Sequence, residues 1–416
     1  MSPRLHLPGR RGTLAELYSS RANSFGLLRL LLASSVVVSH TIPLAWGKPD
    51  PLWSWSGEQT DVGKFAVVGF FVLSGFMITG SGARITPGRY AWHRALRILP
   101  GLWGSILVSA LVILPLLYHW QHGTFSGYWH HPQGPWNYIT GTWNTSISTG
   151  WDISGVIADG MHRGTNFNPG INGALWSLKY EILCYILVGL MGAAGVLQRA
   201  RKFVPLIVLV LGLVILRDWV LAGFGRGIPR NIYEVVQVPI FAEMQTYALI
   251  YLVYAFMIGA TFQLYRERIV IHDGLAALCA IALGVSMFTG GLFVFGYPAF
   301  AYLLLWLAIR LPGPFQKIGR KRDYSYGIYI YGFTVQQALA ILGYAKYGKP
   351  AYFALTMAGT VVLAALSWHL LESPVMKAKN WTPKPVRKLL ERRLARSHAE
   401  AATTVNPETE TVLTKA

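Results

Sequence analysis

Residues Phe25–Trp46 read FGLLRLLLASSVVVSHTIPLAW, an apolar run long enough to cross a bilayer as one helix. It carries two ionisable side chains, Arg29 and His40. Their spacing of eleven residues is close to three helical turns. Both therefore project from one face, separated by roughly 16 Å along the axis. Ionisable groups within a membrane are costly and are usually kept for a function. A pair near the two ends of one face implies a site that runs through most of the membrane.

The rest of the chain fits that reading. Of its 416 residues 53% are hydrophobic and only 13% charged, and the mean hydropathy is +0.39. Soluble domains carry about twice that share of charge, roughly 25%. The expected fold is all-α, a polytopic bundle of about ten membrane helices near 24–44, 62–80, 99–118, 174–195, 203–221, 246–264, 273–289, 291–310, 325–343 and 351–371. Basic residues alternate along the connections. Arg4, Arg10, Arg11 and Arg21 precede the first span; Arg84, Arg89, Arg94 and Arg97 follow the second; Arg199, Arg201, Lys202, Arg266, Arg268, 310–322 and the C-terminal tail continue the set. The intervening connections are poor in Lys and Arg. By the positive-inside rule both termini are cytoplasmic, as an even number of spans requires.

Three regions result: a cytoplasmic segment 1–23, a membrane domain 24–376 with a long extracytoplasmic loop 119–173, and a basic tail 377–416. Within the tail, 384–396 (KPVRKLLERRLAR) reads as an amphipathic helix on the inner leaflet, with disorder expected after about residue 397. The net charge of +19 is accounted for by loops facing anionic lipid, with no nucleic-acid partner. The first apolar run starts too far in, and lacks a small-residue cleavage site, to be a signal peptide. Cys184 and Cys279 both fall in spans and read as small packing residues. No P-loop and no GxGxxG ahead of a helix is present.

The loop 119–173 is rich in Gly, Trp, Asn, Ser and His. His119, His122, His130, His131 and His162 are irregularly spaced with no Cys or acidic cluster, so no metal is expected. Its aromatic and amide side chains suit either a sugar-binding surface or an interfacial anchor.

His40 and Glu181 fall at similar distances from the outer ends of their spans. A histidine and a carboxylate at one depth make a general base with its orienting partner, or a hydrogen-bonded tie between helices. Arg94 and Arg97 form an Arg-x-x-Arg pair at the start of the third span, suited to a phosphate group or to simple anchoring. Lys179 shares the span of Glu181.

Together these pieces resemble the acyltransferase 3 family of integral membrane acyltransferases, over about residues 20–376. The family's Arg and His of the first span are matched by Arg29 and His40, and its glycine-aromatic second span by 69–76 (GFFVLSGF). Arg94 and Arg97 match its Arg-x-x-Arg, and 176–181 (WSLKYE) its Trp-Ser-Leu-x-x-Glu. Ser325, Tyr326 and Tyr329 match a Ser-Tyr-x-x-Tyr motif, and 372–374 (ESP) the closing Glu-x-Pro. One departure stands out. Many members carry a histidine soon after Ser-Tyr-x-x-Tyr, where this chain reads Tyr331, Gly332 and Phe333.

The resemblance implies a multi-pass enzyme of the cell inner (plasma) membrane that moves an acyl group from cytoplasmic acyl-CoA to a carbohydrate hydroxyl at the extracytoplasmic face. Acyl-CoA, most often acetyl-CoA, is a co-substrate; no bound cofactor is implied. Arg29, Arg94 and Arg97 would neutralise its phosphates. His40, oriented by Glu181, would activate the acceptor or carry the acyl group. Trp176 and Tyr180 would line the acceptor path, and Gly75 and Gly80 would allow close helix approach. The acceptor would be a polysaccharide or its lipid-linked precursor. With no appended soluble domain recognised, the membrane domain would complete transfer alone or with a separate partner. The alternative is a transporter or flippase that moves such a precursor, or a small substrate, unmodified. It would show inverted repeats and paired broken helices, which are not recognised.

Overall fold

The computed structural model describes residues 11–20, 22–145, 152–158 and 170–381. The 384–396 segment and His162 lie outside them. Each of the ten expected segments falls on a helix. Eight of the helices are long and apolar enough to cross a membrane: α1 (Phe25–Trp46), α2 (Val62–Gly82), α3 (Pro87–His122), α4 (Gly173–Ala193), α5 (Phe203–Leu221), α6 (Thr246–Leu264), α8 (Leu292–Arg310) and α10 (Lys349–Asn380). Between them lie two 17-residue helices, the apolar α7 (Asp273–Thr289) and α9 (Ser325–Ile341). Among the described residues strands are few and short: Gly12–Thr13 pairs with Val270–Ile271, and Val235–Val238 with Ala242–Gln245.

The helix ends follow local chemistry. Asp61 caps α2 by accepting from the Lys64 amide, and Gly47 closes α1 in the left-handed conformation at φ 63°. Pro87 occupies the first turn of α3, where its missing N–H costs nothing. That proline starts α3 twelve residues before the expected 99. Arg94 and Arg97 therefore stand inside a helix rather than at its entrance.

The bundle centre is set by two features. At the first, α2 and α6 cross with backbones almost touching. A Cβ at Gly75 would lie 2.0 Å from the Phe256 carbonyl oxygen, and one at Gly259 2.1 Å from that of Val72. Small residues of this kind let membrane helices approach without apolar driving force between them. Gly80 faces the Gln263 side chain on the same helix.

The second feature is α9, buried along most of Ser325–Gln337 despite its polar side chains. Four of these donate to backbone carbonyls of neighbouring segments. Tyr326 donates to the Ile98 carbonyl, Tyr329 to that of Ala174, Gln337 to that of Gly170, and Gln336 to that of Val37. The Ser-Tyr-x-x-Tyr motif is thus a fastening of α9 to α3 and α4.

The described parts of the 119–173 connection pack on one end of the bundle around Tyr128, Tyr138, Ile153, Val156 and Ile171, all buried. Trp120, Trp136 and Trp143 are exposed. At the opposite end, Leu14 is buried beside the 266–271 turn, and the start of α3 holds the end of α10 through Trp92 and His93.

Candidate functional site

Two cavities hold the residues that the sequence singles out. The first lies toward the basic end, has a volume of about 80 Å³, and is lined by Arg29, Ser74, Arg94, Arg97, Glu181, Tyr185, Tyr326 and Tyr329. Its floor is an ion-pair network. Asp323, two residues before α9, accepts from Arg29 at 2.6 Å and from Arg97 at 2.7 Å. Arg97 also faces Glu372 at 3.4 Å, and the other oxygen of Glu372 accepts from Ser367 at 3.0 Å. Burial pushes the Asp323 carboxyl up, but the two guanidiniums and the Ser325 hydrogen bonds outweigh it and hold the group at about 2. The network unites Arg29, Arg97 of the Arg-x-x-Arg pair and the Glu-x-Pro carboxylate. Asp323 was not singled out by the sequence. It sits in a basic connection with no periodicity to mark it.

Arg94 differs from its neighbours. Its guanidinium lies 5.8 Å from the Tyr185 ring centre, and its buried Nε has no hydrogen-bond partner among the described residues. Glu181 stands nearby, accepting from Ser74 at 3.1 Å and from the Tyr185 hydroxyl. Arg29 and Arg97 have carboxylate partners; the Arg94 Nε has an open donor, the condition of a group that awaits a ligand.

The second cavity, about 240 Å³, opens at the other end of α1. It is lined by Ser39, His40, Pro43, Pro49, Asp50, Trp53, Asp61 and Lys64. The imidazole meets the Phe333 ring edge-on at 4.9 Å and makes no hydrogen bond among the described residues. Asp50 is fully engaged by the Ser39 hydroxyl and the Leu52 and Val62 amides.

The structure therefore does not join His40 to Glu181. Helix α2 is a common ruler: Lys64 lines the cavity of His40, while Ser74 bonds Glu181. Ten residues of α-helix separate them by about 15 Å. Equal depth was inferred from span ends. The 3₁₀ turn Gly173–Ser177 at the start of α4 stretches that reckoning, because it rises about 2 Å per residue instead of 1.5.

Trp176 lines a small third cavity with Gln59, Lys64, Tyr247 and Tyr251. Tyr180 does not line it; its hydroxyl accepts from the Gln245 amide, and Lys179 donates to the Glu243 carbonyl. Both fasten α4 to the Val235–Gln245 hairpin. Among the described residues no three His, Cys, Asp or Glu side chains converge as metal ligands.

The two principal cavities come within one helical turn of each other. Val67 and Tyr329 line the first, while Lys64, one turn from Val67, and Phe333, one turn from Tyr329, border His40. A basic pocket thus leads along α2 toward an imidazole.

Comparison with known proteins matches this arrangement to described families. A family model described as an acyltransferase domain covers residues 23–369. An O-acetyl transferase of Shigella phage Sf6 is 26% identical over 364 residues, 85% of this chain and 95% of that protein. Nodulation protein 10 of Rhizobium leguminosarum bv. viciae is 27% identical over 390 residues, 88% and 97% of the two chains. No solved structure matches.

Proposed function

The chain belongs to the acyltransferase family and is an acyltransferase, and on that premise we propose that it moves an acetyl group from acetyl-CoA to a carbohydrate hydroxyl. The carrying observation is Arg94, whose buried Nε has no partner beside a cavity that leads toward His40. A phosphate of coenzyme A completes its hydrogen bonding. Arg29 and Arg97, neutralised by Asp323 and Glu372, shape the mouth and leave Arg94 to meet the phosphate. Glu181 positions the Tyr185 ring beneath the Arg94 guanidinium.

The pantetheine arm then lies along α2, past Phe70 and Val67, and brings the thioester to the partition between the cavities. His40 takes the proton of an acceptor hydroxyl as its oxygen attacks the thioester carbon. The new O–C bond forms, the C–S bond breaks, and the coenzyme sulfur leaves with the proton returned from the imidazolium. Glu181 and His40 thus serve opposite ends of one path rather than one dyad. Trp176, through its small cavity beside Lys64, flanks the acceptor side.

The chain spans the inner membrane ten times with both termini cytoplasmic. Arg84, Arg89, Arg94, Arg97 and 310–322 gather at the end where acyl-CoA enters. His40 opens to the far side, where a polysaccharide or lipid-linked acceptor arrives.

Ligand protection tests the donor half of this reading. Free coenzyme A should raise the melting midpoint of the purified protein saturably, by the equivalent of about 2.7 kcal/mol at a hundredfold excess over Kd. Arg94→Gln should need about tenfold more coenzyme for the same shift. A wild-type midpoint that ignores coenzyme A contradicts the reading.

A further inference from the structure

The cavity beside His40 contains an acid–base pair that the transfer chemistry leaves unused. Lys64 Nζ lies 3.2 Å from Asp61 Oδ2 and 4.6 Å over the Trp53 ring centre. All three line the cavity with the imidazole. Asp61 is tethered at its other oxygen, which caps α2 through the Lys64 amide at 2.7 Å. Asp50, by contrast, is spent on the Ser39 hydroxyl and two amides. Lys64 is held in place by one carboxylate and one aromatic face while remaining about one-third exposed, with side-chain accessibility of 36%.

An ion pair of this kind, open to a cavity, offers an acceptor and a donor side by side. Adjacent hydroxyls of a sugar ring present the complementary pattern, one O–H to give and one oxygen to receive. Bonds to charged partners are the stronger class. A single hydroxyl needs no such pair, and a phosphate would be repelled by Asp61.

We propose that Asp61 and Lys64 form the acceptor subsite. They hold two neighbouring hydroxyls of a pyranose ring and thereby present a third hydroxyl to His40. The subsite rests on the acyltransferase reading above and gives it an acceptor class, a sugar bearing a vicinal diol. Trp53 acts through Lys64, as the surface that fixes the ammonium.

Initial rates of acetyl transfer from acetyl-CoA to a panel of methyl glycosides test it, each compared with its deoxy analogue at the neighbouring hydroxyls. For the glycoside the wild type uses best, Lys64→Met and Asp61→Asn should each raise the acceptor KM about tenfold while the acetyl-CoA KM stays within about twofold. The deoxy analogue should cost the wild type a similar factor and the Lys64→Met protein almost nothing, because the bond it removes is already gone. A structural role would move both KM values and would not distinguish the analogues. Trp53→Phe, which keeps an aromatic face, covers the case in which a charge variant fails to fold: its acceptor KM should rise about twofold or more. If wild type transfers acetyl but these variants keep its acceptor KM, or lose the glycoside and deoxy glycoside equally, the subsite is wrong and the acyltransferase reading stands. If wild type acetylates no glycoside at all, the carbohydrate-acceptor reading falls and the subsite falls with it.

Discussion

Asp323 shows how one side chain ties three distant segments together. It accepts from Arg29 on α1 and Arg97 on α3 while Ser325 at the start of α9 donates to it. With one partner of a largely buried network removed, the remaining charges are left uncompensated. Asp323→Asn should therefore cost on the order of 2–3 kcal/mol in the unfolding free energy of the solubilised protein. The pH dependence has a defined sign. The carboxyl sits at about 2 in the folded protein against an ordinary 3.8, so the folded state favours its ionised form. Its contribution is complete above about pH 4 and is lost as pH falls toward 2. The gap between wild type and Asp323→Asn should stay constant from pH 7 to about 4 and shrink below that; a gap that grows on acidification contradicts the assignment. The arginines were legible in the sequence, Arg29 as a charge within an apolar run and Arg97 as part of an Arg-x-x-Arg pair at the entrance of the third span. Their carboxylate was not, because a lone Asp in a basic connection carries no pattern. Gly332, where the family resemblance leads one to expect a histidine, has a packing reason: a Cβ there would lie 2.7 Å from Val37 Cγ2 on α1. The ring that meets His40 belongs to the next residue, Phe333.

At the scale of elements, the α2–α6 crossing sets where α2 stands beside the first cavity. Ser74, which bonds Glu181, adjoins Gly75, which meets the Phe256 carbonyl. Gly75→Ala must push the helices apart, because its Cβ would lie 2.0 Å from a backbone atom that has no flexible end to move. We expect a loss of about 1–3 kcal/mol in stability and weaker coenzyme A protection together. Unchanged melting with unchanged protection would show that the crossing relaxes freely. The glycine-aromatic run 69–76 signalled close approach, but no single-chain pattern names the partner helix. Helix α9 was legible as a span and its motif as a family match; the structure gives Tyr326 and Tyr329 carbonyl partners. The 47–61 connection was not singled out by the sequence. Its Asp50, Trp53 and Asp61 reach the cavity of His40 only because α1 and α2 fold back on each other.

At the scale of the whole molecule, composition and charge alternation made an all-helical membrane protein readable from the chain alone. Each of the ten expected segments falls on a helix, and eight of those helices are long and apolar enough to cross a membrane. Relative depth was less legible. Residue counting from span ends places Glu181 level with His40, whereas their neighbours on α2, Ser74 and Lys64, stand ten residues or about 15 Å apart. On the proposed reading the expected dyad becomes a path with a basic mouth at one end and an imidazole at the other, and the central claim is that His40 performs the chemistry at its far end. The most direct test is the turnover of labelled acetyl-CoA by purified protein in liposomes, with the methyl glycoside panel as acceptor and wild type beside a folded His40→Ala. We expect the variant to lose transfer by at least about a hundredfold in kcat while coenzyme A still protects it from melting as it does the wild type. A folded His40→Ala that transfers acetyl at the wild-type rate would contradict the claim.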